Sequence, residues 1–241
     1  MKKRLDQLIA EQHPQLSRTF IQSLITQGKV KVDGKSATKA GVQVSEGAVI
    51  ELDLQEPKYV SRAGFKLEKA LDHFGVDVAG SVILDAGLST GGFADCLLQR
   101  GAQKIYGVDV GYGQVHEKIR NDSRVVVIER TNLRSMSPLP EKIDLVTLDL
   151  SFISILKVMD TVKAALKPEG ELITLIKPQF EARRDQVGKG GIIKDPKVHQ
   201  EVLDKVITGI ESYGFKCQGW TESPIEGSSG NKEFLAYFRR Q

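Results

Sequence analysis

The chain has 241 residues, of which 40% are hydrophobic and 27% charged, and its net charge is +3. This composition is typical of a globular protein with room for one large and one small domain. The sequence contains no apolar run near the roughly 20 residues of a membrane helix, no apolar core of a secretory signal, and two cysteines without metal-ligand spacing. We therefore predict a cytoplasmic protein with no membrane segment and no metal site.

The positive charge is concentrated near the N-terminus. Residues 1–45 contain eight Lys or Arg and three Asp or Glu, a net charge of +5, so the rest of the chain carries −2. A basic head on a nearly neutral body favours a polyanionic partner, although a solvated basic surface would have the same composition.

Residues 1–56 are predicted to form a small domain of two helices followed by short strands. The first helical pattern is broken at Pro14, and Ser17 is a suitable N-cap for a second helix over residues 18–27. Residues 30–35 alternate in polarity and contain Asp33-Gly34, which is the signal of a tight hairpin. Residues 57–62 are predicted to be the linker to the rest of the chain.

Three segments of this head resemble the S4 RNA-binding domain. They are Arg4-x-Asp6-x-Leu8, Ser17-Arg18 and Gly28-Lys29-Val30-x-Val32-Asp33-Gly34-Lys35. The resemblance implies that the basic side of the helices binds structured RNA, mainly through its backbone. The residues expected to contact RNA are Arg4, Arg18, Lys29, Lys31 and Lys35.

Residues 63–241 alternate between helical and strand patterns. Helices are predicted at 64–74, 93–99, 155–166 and 196–213, and strands at 82–85, 104–109, 125–129, 143–149, 171–176, 216–221 and 234–238. Residues 167–170, which include Pro168 and Gly170, are predicted to form a turn. Such alternation favours a mostly parallel sheet with helices on both faces, and the last two strands are expected to form an antiparallel edge. The predicted fold is a Rossmann-like α/β sheet preceded by a small α+β domain.

A glycine-rich turn follows the first of these strands, in Ile83-Leu84-Asp85-Ala86-Gly87-Leu88-Ser89-Thr90-Gly91-Gly92-Phe93. The spacing matches neither a dinucleotide fingerprint nor a Walker loop, which leaves S-adenosylmethionine as the predicted cofactor. Asp109, at the tip of the next strand, is expected to accept hydrogen bonds from ribose hydroxyls, and Asn132 to meet the adenine edge. The predicted cofactor-binding residues are Asp85, Gly87, Ser89, Thr90, Gly91, Gly92, Phe93, Asp109, Asn132 and Asp149.

Four charged residues outside the turn are candidates for the chemistry. Asp149 and Lys177 end predicted strands, and the carboxyl ends of strands line the ligand crevice of an open α/β sheet. Lys66 lies on the helix before the first strand, and Glu233 opens the last strand. Each of the four, taken alone, could equally be half of a structural ion pair.

The order of these residues is similar to the Lys-Asp-Lys-Glu tetrad of FtsJ-like ribose 2′-O-methyltransferases. With the S4-like head, the chain resembles the TlyA family of ribosomal RNA methyltransferases, also labelled hemolysin A. The segments that carry the resemblance are Ser61-Arg62-Ala63-Gly64-x-Lys66-Leu67, Ser89-Thr90-Gly91-Gly92-Phe93, Asp149-x-Ser151-Phe152-Ile153-Ser154 and Lys177-Pro178-Gln179-Phe180-Glu181. It implies that Lys66, Asp149, Lys177 and Glu233 are catalytic in methylation of a cytidine-type ribose, and that ribosomal RNA or a ribosomal subunit is the partner. Leu88 replaces a smaller residue and is expected to add bulk beside the cofactor.

The predicted chemistry suits these residue types. A ribose hydroxyl is a poor nucleophile, so Lys177 is expected to accept or orient its proton, while Lys66 stabilises developing oxyanion charge and the acids hold the lysines. A free lysine titrates near 10.4, so a base and a purely orienting group are both open roles.

Residues 181–197 are rich in glycine and basic side chains. We interpret them as a flexible loop over the crevice whose Arg183 and Arg184, together with Arg62, contact RNA; a solvated connecting loop has the same composition.

Three other functions are weighed. A non-catalytic RNA-binding protein is disfavoured by the intact tetrad, and base methylation by the lack of an Asn-Pro-Pro-Tyr or catalytic-cysteine motif. A membrane-lytic protein is disfavoured because no long basic amphipathic helix is predicted.

Overall fold

The structure is a computed structural model that describes residues 2–54, 57–227 and 230–241. The chain forms two compact units, Met1–Lys58 and Tyr59–Gln241. Tyr59 is buried in the core of the larger unit, and the backbone N–H of Val60 donates to Asp95 Oδ2 at 2.8 Å. Residues 59–62, predicted to be linker, therefore belong to the larger unit, while the predicted boundary at 56 lies outside the described residues.

The smaller unit contains two helices and five short strands. They are β1 (Lys2–Arg4), α1 (Leu5–Gln12), α2 (Arg18–Thr26), β2 (Val30–Val32), β3 (Lys35–Ser36), β4 (Gln43–Ser45) and β5 (Ile50–Leu52). β1 pairs with β4, and β2 lies between β3 and β5, all antiparallel. The helices bury their apolar faces in one core made of Leu5, Leu8, Ile9, Ile21, Leu24, Ile25, Val30 and Val44.

Local signals explain where these elements begin and end. The Ser17 hydroxyl accepts a hydrogen bond from the N–H of Phe20 at 3.2 Å and caps α2, as predicted. Asp33 and Gly34 have φ angles of 49° and 75°, the left-handed pair that a tight turn between β2 and β3 requires. The predicted cap and hairpin are confirmed.

The larger unit is a seven-stranded sheet with helices on both faces. Its elements are α3 (Ala63–Phe74), β6 (Val82–Ala86), α4 (Gly92–Gln99), β7 (Lys104–Val108), α5 (Glu117–Arg120), β8 (Val125–Ile128), β9 (Ile143–Leu148), α6 (Met159–Ala165), β10 (Leu166–Ile176), α7 (Pro178–Glu181), α8 (Pro196–Glu211), β11 (Phe215–Glu222) and β12 (Phe234–Arg240). The strand order is β11-β12-β10-β9-β6-β7-β8, with β12 antiparallel to both of its neighbours. The Rossmann-like sheet with an antiparallel edge is confirmed.

Most residues of the central strands β6, β7 and β9 are apolar because both faces of the sheet are covered. Successive residues of β6 enter opposite layers: Leu84 packs in the layer that contains residues of α6 and α8, and Ile83 in the layer of α3 and α4. None of the helices in the described residues is long and apolar enough to cross a bilayer.

Two boundaries differ from the prediction. The helix predicted at 155–166 begins with a 3₁₀ turn, Ile155–Val158, before α6. The turn predicted at 167–170 is instead a register shift inside β10, which pairs with β9 at Leu166 and again from Glu171. The sheet therefore continues through a segment whose Pro and Gly were taken to end it.

Candidate active site

A cavity of about 580 Å³ opens at the carboxyl edge of the sheet, beside the ends of β6, β7 and β9. In an open α/β sheet this edge is where ligands bind. Five of the predicted cofactor-binding residues line the cavity: Gly87, Ser89, Asp109, Asn132 and Asp149. The structure thus brings together residues that the sequence places after four separate strands.

Gly87 occupies a position that only glycine fits. Its φ is 88°, and a Cβ added there would lie 2.4 Å from the backbone oxygen of Asp149. The ends of β6 and β9 therefore approach each other closely, and the chain between them lies against the cavity.

Asp109 organises the loop around the cavity. Its Oδ2 accepts a hydrogen bond from the N–H of Ser89 and its Oδ1 accepts one from the N–H of Gly111, both at 2.7 Å. Since each carboxylate oxygen has two lone pairs, Asp109 retains acceptor capacity toward the cavity that it lines. This geometry fits ribose hydroxyls.

Several predicted cofactor-binding residues lie outside the lining of the cavity. Asp85 has no exposed surface and lies outside the cavity lining. The prediction that it contacts the cofactor directly is therefore corrected, and its buried side chain supports the turn instead. Gly92 lies where a Cβ would come 2.2 Å from Ser61 Oγ, and Phe93 is buried in the core. Thr90 and Gly91 likewise lie outside the lining.

Leu88 also faces the core. Its side chain is buried against Gly107, where an added Cβ would lie 2.6 Å from Leu88 Cδ2. The expectation that Leu88 adds bulk beside the cofactor is wrong, because its side chain points away from the cavity and into the space above Gly107.

Burial of Asp85 has a consequence for pH dependence. Burial raises its pKa from 3.8 to about 7, while a 2.8 Å hydrogen bond from Thr147 Oγ1 opposes the rise. Between these two values the folded carboxyl keeps a proton that the unfolded carboxyl loses, so the free energy of unfolding falls as pH rises.

We expect Asp85→Asn to remove this decrease in the free energy of unfolding with rising pH. Urea unfolding at about pH 5 and about pH 8 should show a smaller difference for the variant than for the wild type. Asp160→Asn, which changes an exposed carboxylate, should leave the difference unchanged. An equal difference in all three proteins would contradict the assignment.

The four predicted catalytic residues form two ion pairs, one buried and one partly buried. Lys66 Nζ lies 2.5 Å from Glu233 Oε2, and Lys177 Nζ lies 2.6 Å from Asp149 Oδ1. The second contact lacks the angle of a hydrogen bond; Lys177 donates its hydrogen bond to Ser151 Oγ at 2.9 Å. Lys66 and Lys177 are each 9% exposed.

Strand register explains how the pairs reach the same edge. Ile176 at the end of β10 faces Phe234 at the start of the antiparallel β12. Lys177 follows Ile176 and Glu233 precedes Phe234, so the two residues lie side by side just beyond the end of this pairing. Lys66 comes from α3, which packs against β12.

Two residues that the sequence analysis assigned no role prove to be part of the site. Glu181 is buried and accepts hydrogen bonds from Ser154 Oγ at 2.7 Å and the N–H of Ile155 at 2.6 Å, and burial raises its pKa. It fastens the segment after β9 to the helix after Lys177. Glu181 and Ser154 fall in segments that carried the family resemblance, which was the available signal.

Phe152 is the second such residue. It has a φ of 64°, its side chain is 90% exposed on the rim of the cavity, and its ring centroid lies 5.0 Å from that of Phe180. A left-handed, exposed phenylalanine is strained and solvated, and such strain is commonly kept at functional sites.

Two of the predicted RNA-binding residues of the smaller unit, Arg4 and Arg18, lie at the buried carboxylate of Asp6. Arg4 donates two hydrogen bonds to Asp6, at 3.0 and 2.9 Å, and Arg18 lies 3.9 Å from it. The bonds from Arg4 lower the pKa of Asp6. Lys31, Lys35, Arg183 and Arg184 are exposed, whereas Lys29 is paired with Asp53 and Arg62 is half-buried.

The fold and the cavity together define a class. A sheet of this order, with a glycine turn after its first strand and an acid at the tip of the second, is that of the S-adenosylmethionine-dependent methyltransferases. The predicted cofactor is confirmed by this class.

Comparison with known proteins gives the family. Residues 59–240 match the FtsJ-like methyltransferase model and residues 3–50 the S4 domain model, and the chain belongs to the FtsJ-like methyltransferase family. The chain is 41% identical to the 16S/23S rRNA (cytidine-2′-O)-methyltransferase TlyA of Mycobacterium tuberculosis, over 93% of this chain and 85% of TlyA. It is 43% identical to Hemolysin A of Brachyspira hyodysenteriae, over 98% and 99% of the two chains.

A solved structure matches the chain over its full length. A protein from Streptococcus thermophilus described as a hemolysin superposes with a TM-score of 0.78 at 37% identity, covering 100% of this chain and 89% of that chain. The predicted resemblance to S4, FtsJ-like and TlyA proteins is confirmed, and the family supports an enzyme over the non-catalytic and membrane-lytic alternatives.

Proposed function

We propose that the chain transfers the methyl group of S-adenosylmethionine to a ribose 2′-hydroxyl of ribosomal RNA, on a cytidine. The observation that carries the proposal is the presence of two ion pairs at one edge of the sheet. Lys66 and Glu233 form the buried pair, and Lys177 pairs with Asp149, which also lines the cofactor cavity. The relative from Mycobacterium tuberculosis is named for this reaction, which supports the substrate.

The residues of the cavity fit the cofactor, which supplies an activated methyl group when bound. Asp109 offers acceptor oxygens for its ribose hydroxyls, Asn132 offers polar atoms for its adenine, and Gly87 leaves room for its methionine portion. No ligand cluster for a metal ion occurs within the described residues, and the proposed reaction needs none.

Methyl transfer forms one bond as another breaks. With the cofactor bound, the 2′-oxygen would gain the methyl group as the sulfur–methyl bond breaks, the sulfur would keep the bonding electrons and leave as S-adenosylhomocysteine, and the hydroxyl proton would pass to solvent water. An ammonium group has three N–H donors, so Lys177 can hold Ser151 and Asp149 and still contact the acceptor oxygen. We assign Lys177 the orientation of that oxygen and Lys66 the stabilisation of its developing charge.

The substrate must present a ribose away from a regular helix. The exposed ring of Phe152, beside the ion pairs, offers an apolar face on which an unstacked base can lie. The basic residues of the S4 unit would supply sequence-independent contacts to the RNA backbone, joined by Arg62, Arg183 and Arg184. An enzyme of ribosomal RNA would act in the cytoplasm.

The test is incorporation of label. Purified protein, tritiated S-adenosylmethionine and ribosomal subunits or free ribosomal RNA should give labelled RNA, and nuclease digestion should release a 2′-O-methyl cytidine. Label on a base would contradict ribose methylation. Binding of RNA and S-adenosylhomocysteine without any labelling would favour a non-catalytic RNA-binding protein.

A further inference from the structure

The segment between α7 and α8 is fastened at Ile193, although its sequence suggests a flexible loop. The N–H of Ile193 donates to Asn231 Oδ1 at 2.9 Å, and its carbonyl oxygen lies 3.2 Å from His199 Nε2. Asn231 Nδ2 also donates to the carbonyl of Gly191 at 2.9 Å. We call Ile193, Asn231 and His199 the Ile193 clasp.

All three members of the clasp are buried. Asn231 is 1% exposed, Ile193 3% and His199 8%. Each side-chain hydrogen bond described for Asn231 goes to the backbone of this segment. A buried amide that loses such partners is costly, because water cannot replace them. The clasp therefore holds a defined position of the segment.

The clasp is also joined to the catalytic acid Glu233. The carbonyl of Asn231 accepts a hydrogen bond from the N–H of Gly227 at 2.9 Å. A Cβ on Gly227 would lie 2.5 Å from Glu233 Oε1, so Gly227 lies directly against the carboxylate that pairs with Lys66. The ring centroid of His199 also lies 5.6 Å from that of Phe234, the residue after Glu233.

From these contacts we propose that Asn231 and His199 are positioning residues that hold the basic segment 188–194 beside Glu233. This inference rests on the proposed function. Lys189 and Lys194 of the segment are exposed, and cations held in place bind an RNA phosphate without the entropy cost of ordering a loop. The same contacts support the Glu233 carboxylate through Gly227. We therefore expect the clasp to affect both KM for RNA and kcat.

The test compares Asn231→Ala, His199→Leu and the double variant in full-length protein. Each single variant should lower kcat/KM for RNA about tenfold, as loss of a buried hydrogen bond allows, with unchanged affinity for S-adenosylhomocysteine. Trypsin should cut after Lys189 or Lys194 faster than in the wild type. Because both side chains hold Ile193, the double variant should be little worse than the worse single one.

Two control variants separate the clasp from general instability. His199→Gln places an N–H donor near the position of Nε2 and should retain most activity and protection. Gln200→Ala removes an exposed side chain from the next position of α8 and should match the wild type. Additive losses with unchanged cleavage, or equal loss of cofactor affinity, would overturn the proposal. If the wild type labels no RNA, the proposed function fails, whereas cleavage of the unliganded protein still tests the clasp.

Discussion

Lys177→Ala is expected to lower kcat for methyl transfer by roughly 10²-fold, the loss that a misplaced reacting atom can cause when the group that orients it is removed. The affinity for S-adenosylhomocysteine should be unchanged, because Lys177 lies outside the cavity lining and contacts Ser151 and Asp149 instead. Single-turnover labelling of ribosomal RNA and calorimetry with S-adenosylhomocysteine measure the two quantities.

Lys177→Arg separates the two roles considered for this lysine. An arginine keeps the charge and the donors but does not accept a proton at ordinary pH. We expect it to retain part of the activity that Lys177→Ala loses, since the assigned role is orientation. An arginine variant as inactive as the alanine variant would instead favour a base, and lost cofactor binding would show that the residue is misassigned.

Glu233→Ala is expected to reduce the free energy of unfolding by about 3–5 kcal/mol, because it leaves the Lys66 ammonium buried without its partner. The two side chains are 11% and 3% exposed, so solvent screens their interaction weakly. Urea unfolding followed by circular dichroism measures the change. The double variant Lys66→Met with Glu233→Leu should recover most of the stability and none of the methyl transfer.

The neighbouring residue offers a matched control for this prediction. Lys232 pairs with Glu222 at 3.3 Å, and both side chains are more than half exposed. Lys232→Ala should therefore change stability by at most about 1 kcal/mol. Equal effects of the two substitutions would contradict the assignment of a buried catalytic pair.

Elements with local signals could be predicted from the sequence. The cap at Ser17 and the Asp33-Gly34 turn depend on hydrogen bonds and φ angles within a few residues. The strand β6 is recognisable because a strand buried on both faces is mainly apolar, and Asp85 is its single polar residue. Segments 167–170 and 155–158 were less well predicted, since Pro, Gly and helical spacing do not show whether a neighbouring strand continues the pairing.

The candidate site could be predicted only as a set of residues. Which lysine pairs with which acid depends on α3 packing against β12 and on the register of β10 and β12. The side chain of Leu88 points into the space left by the missing side chain of Gly107, and the role of Asp85 follows from its complete burial. None of these properties can be predicted from the residues that are adjacent in the sequence.

The sequence by itself determined the fold class, the family and the cofactor turn, because periodic burial and glycine spacing are properties of consecutive residues. Only the tertiary structure decided the pairing of Lys66 with Glu233, which lie 167 positions apart, and the attachment of Ile193 to Asn231. These contacts form when separate elements pack together, and packing between distant segments is set by the whole core rather than by any one stretch of chain.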